Sequence, residues 1–118
     1  MKIRNESYNK LRISVQVSNT GLVGGAEVVQ LYISPVSPPI NRPPKELKAF
    51  TKVFVQSAAV ETVELDLDII RATSYWDEDH EKWCSAAGLY KILVGNSSDA
   101  KFLEAELLVE TTSYWLGL

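Results

Sequence analysis

At 118 residues, with 46% hydrophobic content, the chain is sized and composed for one globular domain rather than a disordered segment. Its net charge of −3 and pI near 5.1 leave no basic patch to neutralise phosphates, so nucleic acid is excluded as a partner. No apolar run approaches the ~18 residues of a membrane span, no signal-peptide pattern is expected ahead of the first strand, and no membrane partner is expected.

Residues 1–9 read as a leading strand or a linker remnant, and Met1 fits either a start or a domain boundary with an added initiator. In the next stretch Ile13, Val15 and Val17 alternate with Ser14, Gln16 and Ser18, the period of a strand with one wet face. Asn19-Thr20-Gly21 and Gly24-Gly25 supply turn formers, and Glu27 to Ser34 is the most β-prone run of the chain. Val29, Leu31 and Ile33 share one face of that run, and Val28, Gln30 and Tyr32 the other. Both faces are largely apolar, which predicts an interior strand joined to its predecessor as a hairpin.

All five prolines fall within Pro35 to Pro44. That stretch cannot be a central strand and reads as a stiff surface connection, with Pro38 and Pro39 as candidate contacts to a neighbouring domain. In Lys45 to Gln56 strict alternation breaks near Ala49–Thr51, and a bulge there would turn Leu47, Phe50, Val53 and Val55 inward together. Ser57 to Val60 turns the chain. Val63, Leu65 and Leu67 then form a half-exposed strand, and Asp68 to Ala72 one short helical turn. Ser74 to Ala86 is aromatic and acidic. Tyr90, Ile92 and Val94 share a face, 95–99 is dense in turn formers, and Leu103, Ala105, Leu107 and Val109 face inward on the last strand. Short strands with frequent turns predict an all-β fold: an antiparallel β-sandwich of about seven strands, one domain over 1–118, with 111–118 as a C-terminal tail.

Chemistry is sparse along this pattern. Glu64, Glu104 and Glu106 occupy alternate strand positions, where carboxylates form a solvated face rather than the paired acids of a glycosidase cleft. The one histidine, His80, lies in a charged loop without an oxyanion-type turn. Asp77-Glu78-Asp79-His80-Glu81 lacks the spacing of a calcium loop or a zinc site, so no metal and no cofactor is expected. Asp77, directly after Trp76, is expected to accept backbone N–H bonds and fix its loop. The single cysteine, Cys84, reads as a small buried hydrophobe and leaves the redox compartment open. Trp76 and Trp83 are expected to cover an end of the sandwich, and Tyr114 and Trp115 to form a terminal hook. Asn5-Glu6-Ser7 and Asn96-Ser97-Ser98 both match the N-glycosylation pattern, with a structural turn the leading interpretation at Asn96.

Five blocks in order carry a resemblance. Val17-Ser18-Asn19-Thr20-Gly21 with Glu27-Val28-Val29-Gln30-Leu31-Tyr32 resembles the fibronectin type III-like domain at the C-terminus of family 3 glycoside hydrolases. Pro44-Lys45-Glu46-Leu47-Lys48-Ala49-Phe50 with Lys52-Val53 is similar to the family's next block. Ser74-Tyr75-Trp76-Asp77 with Trp83, then Gly88-Leu89-Tyr90, then Val94-Gly95-Asn96-Ser97-Ser98 complete it, over roughly 10–110. The closing Tyr114-Trp115-Leu116-Gly117-Leu118 resembles the end of fungal-type members. Ser57-Ala58-Ala59 departs from the family's Pro-Gly turn, which implies a looser connection, and nothing resembles the enzymes' catalytic domains.

The resemblance implies no catalytic residue in this chain. It implies instead an accessory module that packs against the catalytic domains of a parent β-glucosidase, located wherever the parent enzyme works: outside the cell if that enzyme is secreted, in the cytoplasm otherwise. Two other readings stay open from the residues: a polysaccharide-binding module using Tyr75, Trp76, Trp83, Tyr114 and Trp115, or a free-standing interaction domain.

Overall fold

A computed structural model describes residues 1–7, 9–19, 21–37, 45–96 and 102–116, with Asn96 described by its backbone alone. The strands are β1 (Lys2–Ser7), β2 (Lys10–Ser18), β3 (Gly25–Pro35), β4 (Glu46–Val55) and β5 (Val60–Asp68). After a one-turn helix, α1 (Ile69–Thr73), come β6 (Ser74–Asp77), β7 (Lys82–Ser85), β8 (Gly88–Asn96), β9 (Leu103–Val109) and β10 (Ser113–Trp115). Residues 1–9 thus contribute a strand, β1, whose side chains are all exposed.

Two antiparallel sheets, β1-β2-β5 and β4-β3-β8-β9, hold the seven long strands. Between them lies the core. From β2 and β5 come Leu11, Ile13, Val15, Val63, Leu65 and Leu67, and from β3 and β8 come Val29, Leu31, Ile33, Tyr90, Ile92 and Val94. Alternation puts one side chain in two on the inner face, and the registers align them: Ile13 faces Leu65, Leu31 faces Val94, and Ile33 faces Ile92. The expected interior strand is β3, flanked by β4 and β8.

Its expected hairpin with β2 does not form. β2 pairs with β1 and β5, so the Gly-rich segment crosses from one sheet to the other. Each of the two strands has one fully apolar face, and facing each other across the sandwich buries both. The turn at 57–59 is tight rather than loose. Ala59 N–H donates to the Gln56 carbonyl at 3.0 Å, Ala58 N–H to the Asn19 carbonyl at 2.9 Å, and Asn19 N–H to the Ala59 carbonyl at 3.0 Å. Ala58 adopts φ 59° to make this turn, which a glycine would do without strain.

The β4 bulge lies one step earlier than alternation implied. Ala49 faces Leu31 and Leu47 faces Tyr32, leaving Lys48 as the extra residue. The parity of the strand then sends Ala49, Val53 and Val55 inward, while Leu47 is 46% and Phe50 69% exposed, against the inward placement expected. Leu103 also departs from expectation, being 48% exposed at the start of β9, whereas Ala105, Leu107 and Val109 pack on the core.

Asp68 caps α1 by accepting the Arg71 N–H at 3.1 Å. Asn9 completes the cap: its carboxamide donates to Asp68 at 2.9 Å and accepts the Ile70 N–H at 2.9 Å. No helix among the described residues is long and apolar enough to cross a membrane.

Candidate functional site

Helix α1 delivers the chain to a third sheet, ordered β10-β7-β6, beyond the end of the sandwich where β5 terminates. The sequence pattern read this region as a polar loop followed by a tail; it is a hairpin plus a returning C-terminal strand. The register lines up three rows across it. Trp76, Trp83 and Trp115 form one, Tyr75, Cys84 and Tyr114 the next, and Ser74, Ser85 and Ser113 the third. Such directly opposed cross-strand pairs are what hold a small sheet together.

Trp83 is the centre of the first row. It meets Trp76 edge-to-face, with centroids 5.5 Å apart and planes at 76°, and stacks on Trp115 at 5.7 Å and 21°. The Trp115 indole N–H donates to Ser74 Oγ at 2.8 Å, and Ser74 Oγ donates in turn to the Ile70 carbonyl. The Arg71 guanidinium lies 5.4 Å from the Trp115 ring, so a residue of α1 caps the row with its charge. Below it, the hydroxyls of the buried Thr73 and Ser85 are 2.6 Å apart, and Thr73 also donates to the Ile69 carbonyl at 2.7 Å. These contacts clamp the C-terminal strand to the helix and hairpin.

The tyrosine row has a different character. Cys84 is 2% exposed, as the lone thiol was expected to be. Burial pushes the Tyr75 hydroxyl up to about 12, with its hydrogen bond to the Cys84 thiol adding to the shift, so Tyr75 stays neutral at ordinary pH. Tyr114 is 47% exposed and carries the His80 ring on its face at 4.9 Å. His80 Nδ1 lies 2.8 Å from Asp77 Oδ2, and Asp77 Oδ1 accepts the Asp79 N–H at 3.1 Å. Asp77 therefore fixes its loop, as expected from its place after Trp76.

Burial alone would raise the Asp77 carboxyl. The His80 ring and the backbone N–H groups of His80 and Asp79 outweigh that and hold it below the ordinary carboxylate range. A carboxyl lowered by folding contributes stability that is complete above its unfolded value and is lost as pH falls through the folded one. The 77–82 loop should therefore loosen below about pH 4, read as a change in tryptophan emission that Asp77→Asn lacks. The same acid step in both proteins would contradict this role.

The structure brings Trp76, Trp83, Tyr114 and Trp115 together and places Tyr75 opposite Cys84 in the next row, while Pro38 and Pro39 lie outside the described residues, as do residues 97–99 of the expected turn and the Asn96 side chain. Arg71, Ser74 and His80 are the partners that sequence reasoning missed. A signal was there for two of them: Ser74 stands two residues before Trp76, on the same strand face, and Arg71 closes the helical turn just before it. Among the described residues, no group of three or more His, Cys, Asp or Glu side chains could hold a metal ion.

The family of the fibronectin type III-like domain matches residues 27–98. The chain is 46% identical over 113 residues to the probable beta-glucosidase I of Aspergillus fumigatus, matching 96% of itself but 13% of that protein. Among solved structures, the Kluyveromyces marxianus beta-glucosidase in complex with glucose superposes with a TM-score of 0.91 at 42% identity, over 100% of this chain and 14% of that one. The Bifidobacterium adolescentis GH3 beta-glucosidase does so with a TM-score of 0.83 at 34% identity, over 92% and 16%. This chain thus spans only a small fraction of the length of the relatives it matches.

Proposed function

This chain belongs to the fibronectin type III-like domain family, and on that premise we propose that it is a non-catalytic accessory module of a β-glucosidase-type enzyme of glycoside hydrolase family 3. Its role is to pack against the catalytic domains and hold them in their working arrangement. The observation that carries this reading is the pairing of near-complete coverage of this chain with 13–16% coverage of the enzymes it matches. A segment of that size, built as two sheets closed on one apolar core, suits a brace better than a cleft.

The third sheet supports the same reading. Trp83 stacks on Trp115 and crosses Trp76 at 76°, so the three rings do not share the plane that a flat platform for a sugar chain requires. Trp76, Tyr114 and Leu116 nevertheless leave 45%, 47% and 77% of their surface exposed at this end. An apolar cluster of that kind suits contact with protein.

The test uses the purified chain. Tryptophan emission should stay constant during titration with cello-oligosaccharides, and release of product from an aryl glucoside should match buffer alone. A saturable emission shift would favour the polysaccharide-binding alternative. Turnover that survives purification and is lost on an acid-to-amide change would end the non-catalytic reading.

A further inference from the structure

The outer face of β1-β2-β5 and that of the β4-β3 pair differ in kind. On β1-β2-β5 the charges are matched internally: Arg12 reaches Asp66 at 2.9 Å, Glu6 at 3.4 Å and Glu64 at 3.5 Å, and Arg4 meets Glu6 at 2.8 Å. That face is finished in water. On β4 and β3 the outward positions Phe50, Lys52 and Phe54 stand opposite Gln30, Val28 and Ala26, with no carboxylate among the six. Phe50 is 69% and Phe54 61% exposed.

The crossover loop extends this apolar surface. Leu22 is 96% and Val23 79% exposed, yet the loop that carries them is firmly held. The Asn19 carboxamide donates to the Val23 and Val55 carbonyls, each at 2.9 Å, and accepts the Gly21 N–H at 2.8 Å. Ser57 Oγ donates to the Gly21 carbonyl at 2.6 Å. A Cβ on Gly24 would come within 2.7 Å of the Phe54 ring, so loop and ring are in close apposition. Fixing a loop backbone so that it presents large apolar side chains to water costs hydration free energy and yields no core, which is the pattern of a preformed contact surface.

We propose that Leu22, Val23, Phe50 and Phe54 form a docking surface for the remainder of a β-glucosidase chain, at the end of the sandwich away from the third sheet. The inference rests on the module reading above. Two observations choose the occupant. The matched segment is 14% of the Kluyveromyces marxianus chain, so most of that chain lies outside it and is available to cover this face. Among the described residues, the outward positions paired around Lys52 also carry no carboxylate, so a partner face that offers one fits better than a second copy of this same face. The fitting partner is an apolar protein surface with a carboxylate or carbonyl placed opposite Lys52.

The experiment replaces the matching segment of the Kluyveromyces marxianus enzyme with this chain, then changes Phe50 and Phe54 together to threonine, which keeps strand propensity. The double change should lower the midpoint of thermal inactivation of the chimera by about 5 °C or more, and Lys52→Glu should lower it too. In the isolated chain the Phe50→Thr, Phe54→Thr change should move the unfolding midpoint by less than about 2 °C, because it touches no core. Equal shifts in chimera and isolated chain would mean a purely internal role and overturn the docking surface. An unaffected chimera that is destabilised by Trp76→Ala or Tyr114→Ala would overturn this surface but keep the module reading. A chimera that neither folds nor hydrolyses glucosides would overturn both. Dimers of the isolated chain in sedimentation, dissolved by the phenylalanine changes, would replace the proposed partner with a second copy.

Discussion

Leu31→Ala is expected to destabilise the isolated chain by ~2–5 kcal/mol, the range for deleting a buried leucine side chain in a close-packed core. Leu31 is 0% exposed at the middle of β3, between Ala49 of β4 and Val94 of β8. It sits on an interior strand with a paired neighbour on each side, which limits collapse into the gap, so the upper half of that range is expected. Set against a total of ~5–15 kcal/mol for a domain, the change removes a large part of the stability. Urea unfolding followed by tryptophan emission reads it as a fall in midpoint with little change in slope. A loss below ~1 kcal/mol would show that β3 is not the strand around which the sandwich closes.

Leu31 also illustrates what was legible from residues alone. Where one face of a strand is uniformly apolar, burial follows from period two, and Ile13, Leu31, Leu65 and Ile92 all landed where alternation put them. Pairing partners were a different matter. The glycines at 21, 24 and 25 allow a reversal, but they do not distinguish a hairpin from a crossing between sheets; that choice depends on which distant strands offer matching faces. Phe50 misled for a related reason. A phenylalanine in a β-prone run reads as core, and only the position of the bulge at Lys48 decides its side.

The candidate site was half visible. Tryptophans and tyrosines in 74–86 and at the C-terminus were recognisable as a set, but their assembly into one sheet depends on β10 returning some thirty residues later to pair with β7. Contacts of that kind, such as Trp115 with Ser74 and Arg71, have no local periodicity to announce them. The fixed loop at Leu22 and Val23 was hidden for the same reason, since its bonds run from Asn19 to Val55 and from Ser57 to Gly21.

The larger expected effect concerns the enzyme rather than the domain. A module whose work is to brace catalytic domains should be needed for their stability and replaceable by a relative with the same surfaces. This chain and its counterpart in the Kluyveromyces marxianus enzyme share 42% of their residues and superpose over the whole length, which makes the exchange a fair trial. On the bracing account, removing the matching segment exposes the surfaces it covers, and desolvated contacts of that type are worth several kcal/mol.

The decisive measurement is therefore glucoside hydrolysis after graded heating, compared among the intact Kluyveromyces marxianus enzyme, the enzyme without its matching segment and the enzyme carrying this chain instead. The bracing account predicts that deletion lowers the inactivation midpoint by more than about 5 °C or abolishes hydrolysis, and that this chain restores most of the loss. A deleted enzyme as active and as heat-resistant as the intact one would contradict it.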